Sequence, residues 1–148
     1  MMTASDTINL PANPARLLCL HGVLLMFFAF IAGFMIGAVA VGQVEGSMDG
    51  WRLAHMEPLT NALLLFAIAA CWKIIALPEP RQKLVALCLV LMAWCNTTFG
   101  FMRGITNAPG FEFNDSLANN ITTAAGMLGV PLGIIAMTLI LLALLRRR

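Results

Sequence analysis

From Leu17 to Val44 the sequence runs without a single Asp, Glu, Lys or Arg, and it does so again from Leu84 to Met102 and from Ser116 to Leu145. A fourth stretch, Pro58 to Leu77, is interrupted only by Lys73. Each can hold a run of about 20 residues, the length an α-helix needs to cross a hydrocarbon core. Composition points the same way: the 148 residues are 60% hydrophobic and 11% charged, whereas a soluble domain carries about 25% charged residues. So few polar side chains cannot cover a globule in water, and the apolar surface must face lipid. The expectation is an all-α, four-transmembrane-helix bundle forming one integral membrane domain over 1–148, with helices near 17–42, 58–77, 84–103 and 120–145. The first of these runs is longer than a signal-peptide core and lacks a typical cleavage context, so it reads as a retained helix.

The net charge of +2 is small and clustered, which excludes the basic stripe that nucleic acid requires. Arg16, Lys73, Arg81, Lys83, Arg146, Arg147 and Arg148 fall on one side of the four spans, and only Arg52 and Arg103 on the other. Short basic connections stay in the cytoplasm, so both termini are expected there, in a multi-pass protein of the cell's inner (plasma) membrane. The connections near 43–57 and 103–117 then face outward. The opening MMTASDTINLPA is polar and broken by Pro, and reads as a flexible tail or an interfacial piece. Gly33 and Gly37 make a GxxxG on one face of the first helix, a pattern that permits close helix approach.

Cys19, Cys71, Cys88 and Cys95 all fall within the expected spans without CxxC spacing, and are expected to be buried thiols acting as small hydrophobes. The ten Met residues read as gap fillers. Chemistry is carried instead by polar groups at membrane depth, where hydrocarbon cannot hydrogen-bond them: His21, His55, Asn61, Asn96, Thr97, Thr98, Asn119 and Asn120. His55 sits just before Pro58, which suits the first turn of a second helix, and Trp51 suits an outer interfacial anchor. His55 is then either a plain interfacial histidine or a metal or haem ligand. A zinc site wants three or four converging donors, and two His without a His/Cys pair at ligand spacing do not supply them. One axial histidine is enough for a haem, because the porphyrin brings four ligands of its own. Without CxxCH, such a haem would not be covalently attached. A full crossing of up to roughly 30 Å separates the expected positions of His21 and His55, so the two should not share one iron. Asn119, Ile121 and Thr122 read either as an ordinary polar start to the fourth helix or as pocket lining.

The segment Gly50-Trp51-Arg52-Leu53-Ala54-His55-Met56-Glu57-Pro58-Leu59-Thr60-Asn61 resembles the GW..AH..P..N segment of the styrene oxide isomerase family, small four-helix membrane proteins. His21-Gly22 and Trp94-Cys95-Asn96 resemble that family more weakly. The resemblance implies a homotrimer with haem b (Fe3+) held between subunits, His55 as the iron ligand, Trp51 beside the cofactor, and Asn61 as the amide contacting a bound epoxide. The implied reaction converts a styrene oxide-like epoxide to an aldehyde by Lewis-acid ring opening and a 1,2-hydrogen shift. Asn96, Thr97, Thr98, Phe99 and Phe101 would form the substrate pocket. Two positions depart from the pattern: the motif arginine is displaced by one, to Arg52, and Gly100 stands where the family has a pocket tyrosine. Two other readings are a haem-binding sensor or electron-transfer anchor, and a small transporter. Coupled transport usually needs a membrane-embedded carboxyl, and Asp and Glu fall only at the edges of the expected spans.

Overall fold

The computed structural model describes residues 13–75 and 77–146, so the readings made for the first dozen residues and for Arg147 and Arg148 lie outside it. Four long helices are present: α1 (Pro14–Ala40), α2 (Met48–Ala70), α4 (Glu79–Thr106) and α5 (Leu117–Leu145), with a single extra turn, α3 (Trp72–Ile75), after α2. All four are long and apolar enough to cross a membrane, and no strand occurs among the described residues. Local chemistry sets their starts. Asn13 caps α1 ahead of Pro14, Ser47 caps α2 by accepting from the Gly50 amide at 3.1 Å, and Ser116 caps α5. Asn107, in the left-handed region at φ 56°, ends α4.

Helix α2 starts ten residues before the position expected from Pro58. Ser47 followed by Asp49 in the first turn is a complete start signal, and Pro58 lies inside the helix. A proline there leaves the Ala54 carbonyl without its usual donor at a cost of about 3 kcal/mol, which tertiary packing must offset. His55 and Glu57 consequently sit within a membrane-length helix. The absence of an embedded carboxyl therefore no longer argues against transport.

The long helices pack in the order α1, α2, α4, α5, so α2 and α4 form the centre. Leu18, Leu25, Leu65, Val85 and Leu89 are fully buried in their shared core. Outside it, Phe27, Phe30 and Phe34 on α1 and Met127, Leu128 and Val130 on α5 face outward, as lipid-facing or subunit-facing side chains would. Cys88 is buried and Cys95 half-buried as expected, but Cys19 and Cys71 are exposed, because they fall on outward-facing arcs of α1 and the end of α2.

Glycines set the closest helix approaches. A Cβ on Gly50 would stand 2.7 Å from the Arg103 carbonyl oxygen, and one on Gly100 would stand 3.1 Å from the Ala54 Cα. Gly104 faces the Trp51 ring. The GxxxG that joins helices is thus Gly100–Gly104 on α4. Of the α1 pair, only Gly33 meets a neighbour, the His55 ring, while Gly37 meets nothing within 4 Å. Gly50→Ala should therefore lower stability by about 1–3 kcal/mol, because both colliding groups are backbone, and Gly37→Ala should leave it unchanged. Thermal unfolding in detergent checks the pair.

Candidate functional site

His55 projects from α2 toward α1, where its Nδ1 lies 2.8 Å from the Ala29 carbonyl oxygen. A carbonyl only accepts, so Nδ1 carries a proton here, and in the neutral ring the lone pair would lie on Nε2. This is the arrangement of a neutral imidazole oriented as a metal ligand. Gly33 makes room for it: a Cβ there would come within 3.2 Å of Nδ1. His55 is half-buried, and its Nε2, which has no hydrogen-bond partner among the described residues, is not sealed off. Among the described residues no three His, Cys, Asp or Glu side chains gather as a metal site, so a metal on His55 would need its other ligands from a group such as a porphyrin.

His21 is differently engaged. Its Nδ1 accepts from the Trp94 indole N–H at 3.0 Å, which ties α1 to α4. Ala29, the partner of His55, lies about 12 Å further along α1, so the two histidines are closer than the sequence suggested. The early start of α2 carries His55 deeper into the bundle. They still turn to different neighbours.

On the other side of α2, Asn61 and Glu57 meet Asn96 of α4. Asn61 donates through Nδ2 to the Glu57 main-chain carbonyl at 2.7 Å and to Glu57 Oε2 at 3.3 Å, and its Oδ1 accepts from Asn96 Nδ2 at 3.3 Å. The chain of bonds fixes both amides. The Glu57 carbonyl can only accept, so the Asn61 nitrogen must face it; the Asn61 oxygen then faces Asn96, which must donate. One Asn96 N–H is left over.

This polar row forms one end of a groove of about 610 Å³ between α2, α4 and α5. Glu57, Asn96 and Phe99 line one wall. Thr123, Gly126, Met127, Val130 and Pro131 line the other, and Gly110 and Phe111 of the α4–α5 connection close the far end. Arg103 sits over the Phe99 and Phe111 rings, with its guanidinium 5.6 and 5.4 Å from their centroids.

Of the residues expected to form a substrate pocket, Asn96 and Phe99 do line this groove. Thr97 is buried and returns its hydroxyl to the Ala93 carbonyl at 2.8 Å. Thr98 is exposed. Phe101 packs edge-on to Trp51 and Phe28 on the α1 side. The reason is rotational phase: Asn96 and Phe99 share one face of α4, whereas their neighbours turn away by about 100° per residue. Asn61 stands behind Asn96 with its amide committed. Trp51 is 6% exposed and packs against Gly104 and Phe101, so it braces the turn before His55 instead of anchoring an interface.

Asn119 and Asn120 are clamps for the α4–α5 connection. Asn119 accepts from the Gly110 amide at 2.9 Å and donates to the Glu112 carbonyl, which Thr123 also binds at 3.0 Å. Asn120 accepts from the Asn114 amide and donates to its carbonyl. Together they hold Gly110 and Phe111 over the groove. The α5 wall was legible in one pattern, the glycines at 126, 129 and 133, which face Phe99, Asn96 and Met92 of α4.

A styrene-oxide isomerase of Pseudomonas fluorescens is 25% identical to this chain over 105 aligned residues, which cover 63% of the chain and 62% of that protein. The chain thus matches somewhat under two thirds of the relative's length. Residues 14–145, spanning all five helices, match the styrene oxide isomerase family as a whole. By that match the chain belongs to the styrene oxide isomerase family.

Proposed function

We propose that this protein is a membrane-bound, ferric haem b-dependent epoxide isomerase, lying in the inner membrane with both termini cytoplasmic. The observation that carries the reading is His55: an imidazole with its Nδ1 proton given to the Ala29 carbonyl and Nε2 left for a ligand, inside the family's motif. A ferric haem on that nitrogen would supply a Lewis acid for an epoxide oxygen.

The remaining chemistry belongs to the groove. Ring opening puts negative charge on the epoxide oxygen and positive charge on the adjacent carbon. The spare Asn96 N–H, held in direction by Asn61, is a preorganised donor for that oxygen. Phe99, Phe111 and Met127 give the groove an apolar lining that would disfavour water, which otherwise traps the cation as a diol before hydrogen migration gives the aldehyde.

His55 and Asn61 lie about 120° apart around α2, one facing α1 and the other α4. A single copy therefore cannot aim both at one ligand. A ring of subunits solves this by setting the α1–α2 face of one copy against the α4–α5 groove of the next, a head-to-tail contact that closes in a cyclic trimer.

Purified protein should convert a styrene-type epoxide to aldehyde, with little diol by gas chromatography. Asn96→Leu and Asn61→Ala should lower kcat by about 100-fold, the scale of losing one oxyanion donor, and Thr98→Ala by less than a factor of about two. Haem-loaded protein inert toward epoxides would favour a haem-based sensor or electron-transfer anchor instead.

A further inference from the structure

Glu57 has no part in the mechanism above, yet it lines the groove. It occupies an unspecified position of the GW..AH..P..N pattern, so the motif assigns it no role. One of its oxygens, Oε2, takes the Asn61 contact, while Oε1 accepts from nothing among the described residues. Asn96 Oδ1 also has no donor there; it rests where a Cβ on Gly129 would stand, 2.6 Å away. The end of the groove at Glu57 and Asn96 therefore presents one spare donor, Asn96 N–H, beside two spare acceptors, while Thr123, also in the lining, commits its hydroxyl proton to the Glu112 carbonyl. An epoxide oxygen can use only the donor. The acceptors, desolvated by whatever apolar molecule fills the groove, remain unmatched unless that molecule brings a hydrogen of its own. The volume of about 610 Å³ is also on the scale of drug-sized ligands, larger than a single small aryl epoxide needs.

We propose that Glu57 is a specificity-determining residue and that the groove takes an elongated, apolar epoxide carrying a hydroxyl group, whose O–H donates to Glu57 Oε1. The inference rests on the groove being the substrate site, but its test needs no turnover. The probes are 4-phenylbutan-1-ol and its methyl ether, which differ in the one hydrogen that matters. Their binding to full-length protein in lipid nanodiscs is measured by ligand-detected NMR, with empty nanodiscs subtracted for partitioning into lipid. Wild type should bind the alcohol about tenfold more tightly than the ether, the scale of one hydrogen bond in a half-exposed site. Glu57→Leu should bring the two within a factor of about two, and Glu57→Gln, which keeps an acceptor oxygen, should retain most of the preference. Val130→Trp, which fills the groove from the outside, should abolish both signals. Equal affinities in the wild type overturn the proposal without any variant. So does a preference that survives Glu57→Leu or Val130→Trp. Loss of epoxide turnover with the binding preference intact would instead remove the isomerase reading and leave the hydroxyl site standing.

Discussion

His55→Ala is expected to abolish the Soret band of the purified protein and its epoxide turnover together, while His21→Ala keeps most of both. The asymmetry follows from the hydrogen bonds. His55 Nδ1 is spent on the Ala29 carbonyl and Nε2 is unspent, on a half-buried ring. His21 uses Nδ1 to accept from Trp94, a bond that joins α1 to α4. Losing it should cost about 0.5–1.5 kcal/mol of stability and leave the haem ligand untouched. A spectrum lost with His21 and retained without His55 would move the axial ligand to the other histidine.

The second large effect concerns assembly. His55→Ala removes the ligand from one face of a subunit, and Val130→Trp blocks the groove on another. Each alone should be inactive. Co-expressed, they should recover activity, because a site that joins His55 of one copy to the groove of the next needs only one intact half from each. With random mixing in a closed ring, about a quarter of the sites combine an intact His55 with an intact groove. Recovery near that fraction supports the head-to-tail arrangement. No recovery, with mixed oligomers present by mass, would place both halves of the site in one subunit.

The four spans were legible because charge-free runs of membrane length leave the chain little alternative. The start of α2 differs from the sequence expectation for a definite reason: Pro58 fits a first helical turn so well that it masks the weaker polar signal, Ser47 with Asp49. That one shift changed the depth of His55, put Glu57 inside a span and shortened the expected distance between the histidines. The polar residues His55, Asn61 and Asn96 could be found from residue type, since amides and imidazoles at membrane depth are rare. Which of Thr97, Phe99 and Phe101 faces the groove could not, because rotational phase is set by packing at Gly100 and Gly104. The same packing bears on the tyrosine that the resemblance implies where Gly100 stands. At position 100 even a Cβ crowds the α2 backbone, so a larger side chain needs the two helices to move apart. The clamps at Asn119 and Asn120 escaped notice because their partners are backbone groups of the preceding loop, which a pattern of side chains does not reveal.

The central claim is that a ferric iron held by His55 promotes epoxide rearrangement, and the most direct measurement follows aldehyde formation from a styrene-type epoxide under anaerobic conditions while the haem spectrum is recorded. Lewis acidity belongs to the ferric state. Turnover should proceed with the ferric Soret band present, fall when dithionite reduces the iron, and return on reoxidation. Turnover that is indifferent to reduction, or a ferric, haem-loaded protein that leaves styrene-type and aliphatic epoxides unchanged, would contradict the account.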